Sequence, residues 1–135
     1  MKRIGRWLPG TALLLMAFSA APAAEPVSVE LNKLEPSNGA CRAYMVTENG
    51  RDSALPSLKL DLVMFNADGV IAKRLAVELG PLPAGKTRVK AFDIDGVGCG
   101  DVSRILLNDV LSCGGVSDCL SLVTVASRSD VAFVD

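Results

Sequence analysis

The chain has 135 residues, of which 50% are hydrophobic and 21% charged, and its formal charge is −1. The absence of a net positive charge argues against nucleic acid or anionic membrane as the main partner, because both select basic surfaces. The sequence contains no histidine, which excludes Ser/His and Cys/His dyads, and nothing supports a Ser/Lys pair. We therefore expect a protein that is not an enzyme.

The start of the chain has the pattern of a secretory signal peptide. Basic residues within the first six positions precede an apolar run over residues 8–20, which is followed by Ala-Pro-Ala. The run of about 13 residues is shorter than the roughly 20 that a membrane-spanning helix needs. We predict that residues 1–23 form the signal peptide; cleavage after Ala23 and cleavage after Ala24 both fit. A retained anchor is the less favoured alternative.

Residues 24–135 would then form the mature protein in the periplasm. Lys2, Arg3 and Arg6 leave with the signal peptide, so 11 basic and 15 acidic side chains remain, a formal charge of −4. About 112 residues suffice for one hydrophobic core and are too few for two. The prediction is one domain with no membrane span.

Short apolar segments separated by turn residues every ten or so positions predict an all-β fold. The first segment alternates apolar and polar residues and reads as an edge strand, whereas the third becomes continuously apolar and reads as a central strand. A short helical turn is compatible with residues 101–106, and no element is predicted after residue 126. Seven strands without a strong helix predict an immunoglobulin-like antiparallel β-sandwich. The predicted strands are 27–32, 40–48, 58–65, 70–79, 86–94, 105–111 and 120–126.

The middle of the domain contains two sequence motifs that are typical of turns between strands. Residues 65–71 read FNADGVI and residues 77–87 read VELGPLPAGKT. Within residues 58–95, these resemble the "dxdG" and "pl.pG.t" turns of FxLYD and CARDB immunoglobulin-like domains from bacterial extracellular proteins. The mature chain also resembles a group of small exported proteobacterial proteins. These resemblances imply an architecture and no functional residues.

All four cysteines lie in the predicted mature domain, and an even number in an oxidising compartment predicts two disulfides. A zinc site is the alternative, but the spacing contains no Cys-x-x-Cys pair. If the strands alternate in direction, the second strand begins at the end of the sandwich where the fifth finishes, and these two strands are neighbours in immunoglobulin-like sheets. Cys41 at the start of the second strand should therefore meet Cys99 after the fifth. Cys113 and Cys119 would then close a hairpin at the opposite end. A bond from Cys41 to Cys113 would have to span roughly 20 Å, against a normal Cα separation of about 6 Å.

Few other residues suggest a site. Asp93, Asp95 and Asp101 surround a glycine-rich turn, which allows a calcium interpretation, but the loop lacks the full ligand spacing. Turn chemistry explains these aspartates better. A redox role for Cys113 and Cys119 is disfavoured because redox pairs usually sit two apart at the start of a helix. No cofactor or metal is predicted.

Lys86, Arg88 and Lys90 alternate along the fifth predicted strand, and Lys73 and Arg74 lie on the strand before it. They are candidates for a basic stripe that binds an acidic partner. The alternative is a solvated strand face that protects the edge of a sheet.

The function predicted from these observations is binding. We expect a non-catalytic periplasmic accessory module that docks on another envelope protein through a sheet edge or through loops at one end. The alternative is a soluble inhibitor or small-ligand carrier that uses the disulfide-closed loop 113–119, whose ordering cost is met before binding.

Overall fold

The computed structural model describes residues 2–18 and 26–135. Residues 2–18 are exposed and have neither helix nor strand, and the two predicted cleavage positions lie outside the described residues. Within the described ranges, no helix has the length and apolar character needed to cross a membrane.

The described part of the domain consists of eight strands in two four-stranded sheets, with short 3₁₀ turns at Cys99–Asp101 and Cys119–Leu122. The strands are β1 (Val27–Ser37), β2 (Ala40–Asn49), β3 (Lys59–Phe65), β4 (Ile71–Glu78), β5 (Thr87–Ile94), β6 (Arg104–Ser112), β7 (Val123–Ser127) and β8 (Ala132–Val134).

The first sheet has the order β5-β2-β1-β7 and the second has the order β4-β3-β6-β8. Pairing is antiparallel except for two parallel pairs at one side, β1 with β7 and β6 with β8. The predicted all-β, immunoglobulin-like sandwich is confirmed, including the adjacency of β2 and β5 and the central position of β3.

Several details differ from the sequence prediction, which had seven strands and antiparallel pairing throughout. β1 is an internal strand between β2 and β7, because its alternation reflects one solvated face and not a free edge. β8 was not predicted, because a strand of three residues is too short to give a recognisable hydrophobic pattern in the C-terminal segment. The connection from β6 to β7 crosses between the sheets and is therefore not a hairpin. The first 3₁₀ turn ends at Asp101, and β6 begins at Arg104 within the range in which the sequence allowed a helical turn.

The core lies between the sheets and is filled chiefly by alternate residues of β1, β2, β3 and β6, whereas β5 contributes Ile94 as its one buried residue. Each such aliphatic side chain stabilises the fold by roughly 1.5–3 kcal/mol when fully buried. β3 is buried on both faces, since Asp61 and Val63 on its outer side are also covered. The interior positions of the first three strands are Val27, Val29, Leu31, Cys41, Ala43, Met45, Leu60, Leu62 and Met64.

Both predicted disulfides are confirmed. Cys41 and Cys99 have a Cα separation of 4.8 Å, and Cys113 and Cys119 a separation of 6.4 Å. The first joins the start of β2 to the crossing from β5 to β6, and the second closes the crossing from β6 to β7. Disulfides of this kind are typical of proteins that leave the reducing cytoplasm.

Candidate functional site

Among the strand edges that the structure describes, one combines a length of eight residues with an unbroken register. Among the described residues, β5 and β7 are the outer strands of the first sheet, and β4 and β8 are those of the second. β7 and β8 have only five and three residues, and the pairing of β4 with β3 contains a register shift. β5 has eight residues and an unbroken register with β2. It is therefore the edge best suited to accept a further strand.

Hydrogen bonding at the start of β5 shows which backbone groups are free. The Asn49 N–H donates to the Lys86 carbonyl at 2.9 Å, so the backbone groups of alternate residues, beginning with Lys86, point toward β2. The N–H and C=O groups of Thr87, Val89 and Ala91 consequently point toward the open edge. In the part of the chain that the structure describes, these groups form an extended row of donors and acceptors without backbone partners.

A buried amide holds the connection before β5 in place. The Asn49 side chain is fully buried, and its Nδ2 donates to the carbonyls of Leu82 at 3.0 Å and Ser53 at 3.1 Å. Leu82 is itself fully buried and forms a bridge with Leu55. These contacts anchor the turn that leads into the strand, so the edge is presented by a rigid scaffold.

The three basic residues of the predicted stripe lie along this edge. Arg88 and Lys90 are in register with Thr47 and Met45, whose side chains are buried, so both basic side chains leave β5 on its core-facing side, at the rim of the sandwich. Lys86 immediately precedes the strand, and all three are exposed. Within the described residues, no carboxylate oxygen lies within 4.0 Å of their charged nitrogens.

The two basic residues on the preceding strand have different environments. Arg74 faces the outside of the second sheet and forms two hydrogen bonds to Asp61, at 2.9 and 2.7 Å. Lys73 is half-buried and in register with Met64, on the core side. Arg74 therefore does not belong to the stripe, and the exposed basic group consists of Lys86, Arg88 and Lys90. We call this group with the open strand the β5 edge.

Two arginine–carboxylate pairs lie on the outer face of the first sheet. Arg42 donates to both carboxylate oxygens of Asp93, at 2.8 and 3.2 Å, and this hydrogen bonding lowers the pKa of Asp93. Arg128 pairs with Glu30 at 3.1 Å. The β5 edge differs from this outer face in having positive charges without partners in the described structure.

The aspartates considered for calcium do not form a metal site. Asp93 is engaged by Arg42, whereas Asp95 and Asp101 are exposed beyond the end of β5. Among residues 2–18 and 26–135, no group of three or more acidic or cysteine side chains is placed to hold a metal ion.

The disulfide-closed loop 113–119 is a second surface feature. Gly114, Gly115 and Asp118 are exposed, and the loop leads into a 3₁₀ turn where Leu120 is 45% exposed. Beside it lies a shallow, mainly apolar cavity of about 330 Å³. The sequence prediction had placed Leu120 in a strand and so gave no signal of this cavity. Its lining is Leu106, Leu107, Asn108, Leu120 and Asp135.

The sequence prediction also missed a buried charge. Asp61 is 4% exposed on the outer side of β3, where Arg74 of β4 and Asn108 of β6 donate hydrogen bonds to it. These hydrogen bonds lower the pKa of Asp61 to about 2, and the bonds from Arg74 have the larger effect. The alternation of Asp61 with leucines along β3 gives no sign that this carboxylate is buried, and only the pairing of three strands reveals the cluster. Its role is to tie these strands together.

Comparison with known proteins gave no match among protein-family models, curated proteins or solved structures. The resemblance to FxLYD and CARDB domains therefore remains a prediction from the turn sequences.

Proposed function

We propose that this protein is a non-catalytic binding module of the periplasm, which docks on another envelope protein through the β5 edge. The observation that carries this proposal is the open, regular strand with unpartnered basic side chains. An extended segment of a partner can pair with the free backbone groups of Thr87, Val89 and Ala91, while side-chain contacts provide selectivity.

The remainder of the molecule is consistent with such a role. The Cys41–Cys99 disulfide, next to the end of β5, and the anchored turn before β5 limit the movement of the edge, so little conformational entropy is lost on binding. The predicted signal peptide and the disulfides support a location outside the cytoplasm.

A second candidate function is a soluble inhibitor or small-ligand carrier that uses loop 113–119. The apolar cavity beside Leu120 favours it, because small-molecule sites are concave and mostly apolar. The cavity is open and shallow, however, whereas the β5 edge offers a continuous row of donors and acceptors. We therefore rank the edge first.

Replacing Val89 with proline tests the proposal. Because the Val89 N–H points away from β2, Val89→Pro removes a free donor and leaves the β2–β5 ladder intact, and proline is tolerated on edge strands in this orientation. In affinity purification from envelope extracts followed by mass spectrometry, we expect the amount of partner retained by the variant to be at least about ten-fold lower than the amount retained by the wild-type protein. Such a loss corresponds to about 1.4 kcal/mol of binding free energy.

Ala76→Pro is the matched control. The Leu79 N–H donates to the Leu58 carbonyl at 2.8 Å, so alternation places the Ala76 N–H at the open edge of β4. This variant should retain the partner, and thermal unfolding should show that both variants are folded. Equal retention by the wild-type and Val89→Pro proteins would contradict the proposal. Loss of the partner on Leu120→Asp alone would support the second candidate.

A further inference from the structure

We propose that the β5 edge binds an extended acidic segment in which carboxylate residues alternate with β-branched apolar residues. This inference rests on the proposed function and specifies the chemistry of the partner. It follows from how the charged and apolar side chains of β5 are divided between its two sides.

The core-facing side of β5 selects acidic residues. Arg88 and Lys90 are two residues apart and lie on the same side of the strand. In an added strand, residues opposite them would have Cβ atoms about 4.5–5.5 Å away, on that same side. Every second residue of the partner would therefore lie opposite a positive charge, and a carboxylate at that position would form a favourable ion pair. Within the described residues, no carboxylate of this protein already binds these charges.

The outer side of the same strand selects apolar residues. Val89 is 67% exposed and is in register with Val46 of β2, so an added strand would extend this apolar pair. Glu48 of β2 is exposed opposite Thr87 on the same side, about 10 Å from an added strand, where it would weakly disfavour a carboxylate. Asp93, the other acid on this side of β5, is held by Arg42. Valine, isoleucine or threonine are favoured at the intervening positions of the partner, since β-branched residues pack well across strands.

A second copy of the chain is a poor occupant of this edge. If two β5 strands paired antiparallel about Val89, Arg88 of each copy would lie opposite Lys90 of the other. Like charges directly opposite one another destabilise strand pairing, and basic residues on edges commonly prevent self-association. The same positive charges attract an acidic strand, so they both prevent self-association and select the partner.

Titration with designed peptides tests this inference. A peptide of about eight residues, long enough to match one strand, would alternate glutamate and valine. One control has the same composition with the glutamates and valines in separate blocks, and a second alternates lysine and valine. In ¹⁵N-correlated NMR spectra we expect the alternating acidic peptide to shift the amide signals of Thr87, Val89 and Ala91 and to leave that of Ala76 unmoved. Its affinity should exceed that of each control at least about ten-fold and should fall with added salt.

Charge variants test the selectivity. Lys90→Gln should weaken binding of the acidic peptide several-fold. Lys59→Gln, which removes an exposed positive charge on the other sheet, should have no effect on that binding. The double variant Arg88→Glu and Lys90→Glu should lose the acidic peptide and bind the lysine peptide instead. This exchange of specificity cannot arise from unfolding, and thermal unfolding midpoints are measured for every variant.

Equal binding of the alternating and block peptides, or the absence of binding by any of them, would overturn the inference. So would wild-type dimers that dissociate on Val89→Pro in sedimentation experiments, since a second copy would then occupy the edge. If Val89→Pro still abolishes capture of an envelope protein, the proposed function stands and only the acidic chemistry is wrong. If capture is also insensitive to Val89→Pro, both proposals fail.

Discussion

Loss of the disulfide between Cys41 and Cys99 should lower the free energy of unfolding by about 4 kcal/mol, roughly twice the effect of losing the disulfide between Cys113 and Cys119. In the chain-entropy model the stabilisation grows with the loop that the bond closes in the unfolded chain. The sequence separations are 58 and 6, which give about 4 and about 2 kcal/mol. The longer bond also connects β2 of the first sheet to the turn that precedes β6 of the second.

Urea unfolding at equilibrium measures this difference. Cys99→Ala and Cys119→Ala are the simplest comparison. The double variants Cys41→Ala with Cys99→Ala, and Cys113→Ala with Cys119→Ala, avoid an unpaired thiol. The slope of the transition should be followed as well, because a change in the compactness of the unfolded state alters it. Equal losses for the two pairs would show that loop entropy does not control the stability of this sandwich.

Asp61→Asn should destabilise the protein at neutral pH and have little effect near pH 2. The pKa of Asp61 in the folded protein is about 2, below the ordinary value of 3.8, chiefly because Arg74 donates hydrogen bonds to it. The unfolded chain therefore takes up a proton at higher pH than the folded one. The stabilisation is complete above about pH 4 and is lost as the pH falls toward 2. It amounts to at most about 2 kcal/mol, since Arg74 is 65% exposed and solvent screens the pair.

Asp93→Asn provides the matched control for this prediction. The pair of Arg42 and Asp93 has the same two-pronged geometry, but the Asp93 side chain is 35% exposed, against 6% for Asp61. Its removal should cost much less, because exposed ion pairs are worth little. Chemical denaturation of the three proteins at pH 7, 4 and 2 compares them. A penalty for Asp61→Asn that is the same at pH 2 and pH 7 would argue against the ionic role of this carboxylate.

The β5 edge and the Asp61 cluster show two uses of arginine in one small fold. Arg74 is partnered with a buried carboxylate and contributes to the cohesion of the second sheet. Arg88 has no such partner in the described structure and stands at the rim, where a charge is available to another molecule. Both residues lie on edge strands with free backbone groups. They differ in whether the side chain has a partner: Arg74 has one and stabilises the fold, whereas Arg88 has none in the described structure and is a candidate binding residue.

The amino-acid sequence by itself was sufficient to predict the all-β class, the central position of β3 and both disulfides. Apolar periodicity reports directly which strands have one buried face and which have two. The alternation of Lys86, Arg88 and Lys90 likewise placed them on one side of a strand, because side chains alternate across it. The strand class and the side of each residue are local properties of the chain. The disulfide pairing needed one further premise, that the second and fifth strands of an immunoglobulin-like sheet are neighbours.

Apart from the adjacency of β2 and β5, the neighbours of each strand were decided only by the tertiary structure. A one-sided apolar pattern is the same for an internal strand and for an edge strand, so β1 was assigned to the wrong position. β8 is held by its pairing with β6 rather than by its own three residues. The partnering of Arg74 with Asp61, and the lack of a partner for Arg88, depend on side chains that converge across strands distant in sequence. Strand order and the convergence of side chains are set by long-range packing, and they decide where this protein has a surface available for binding.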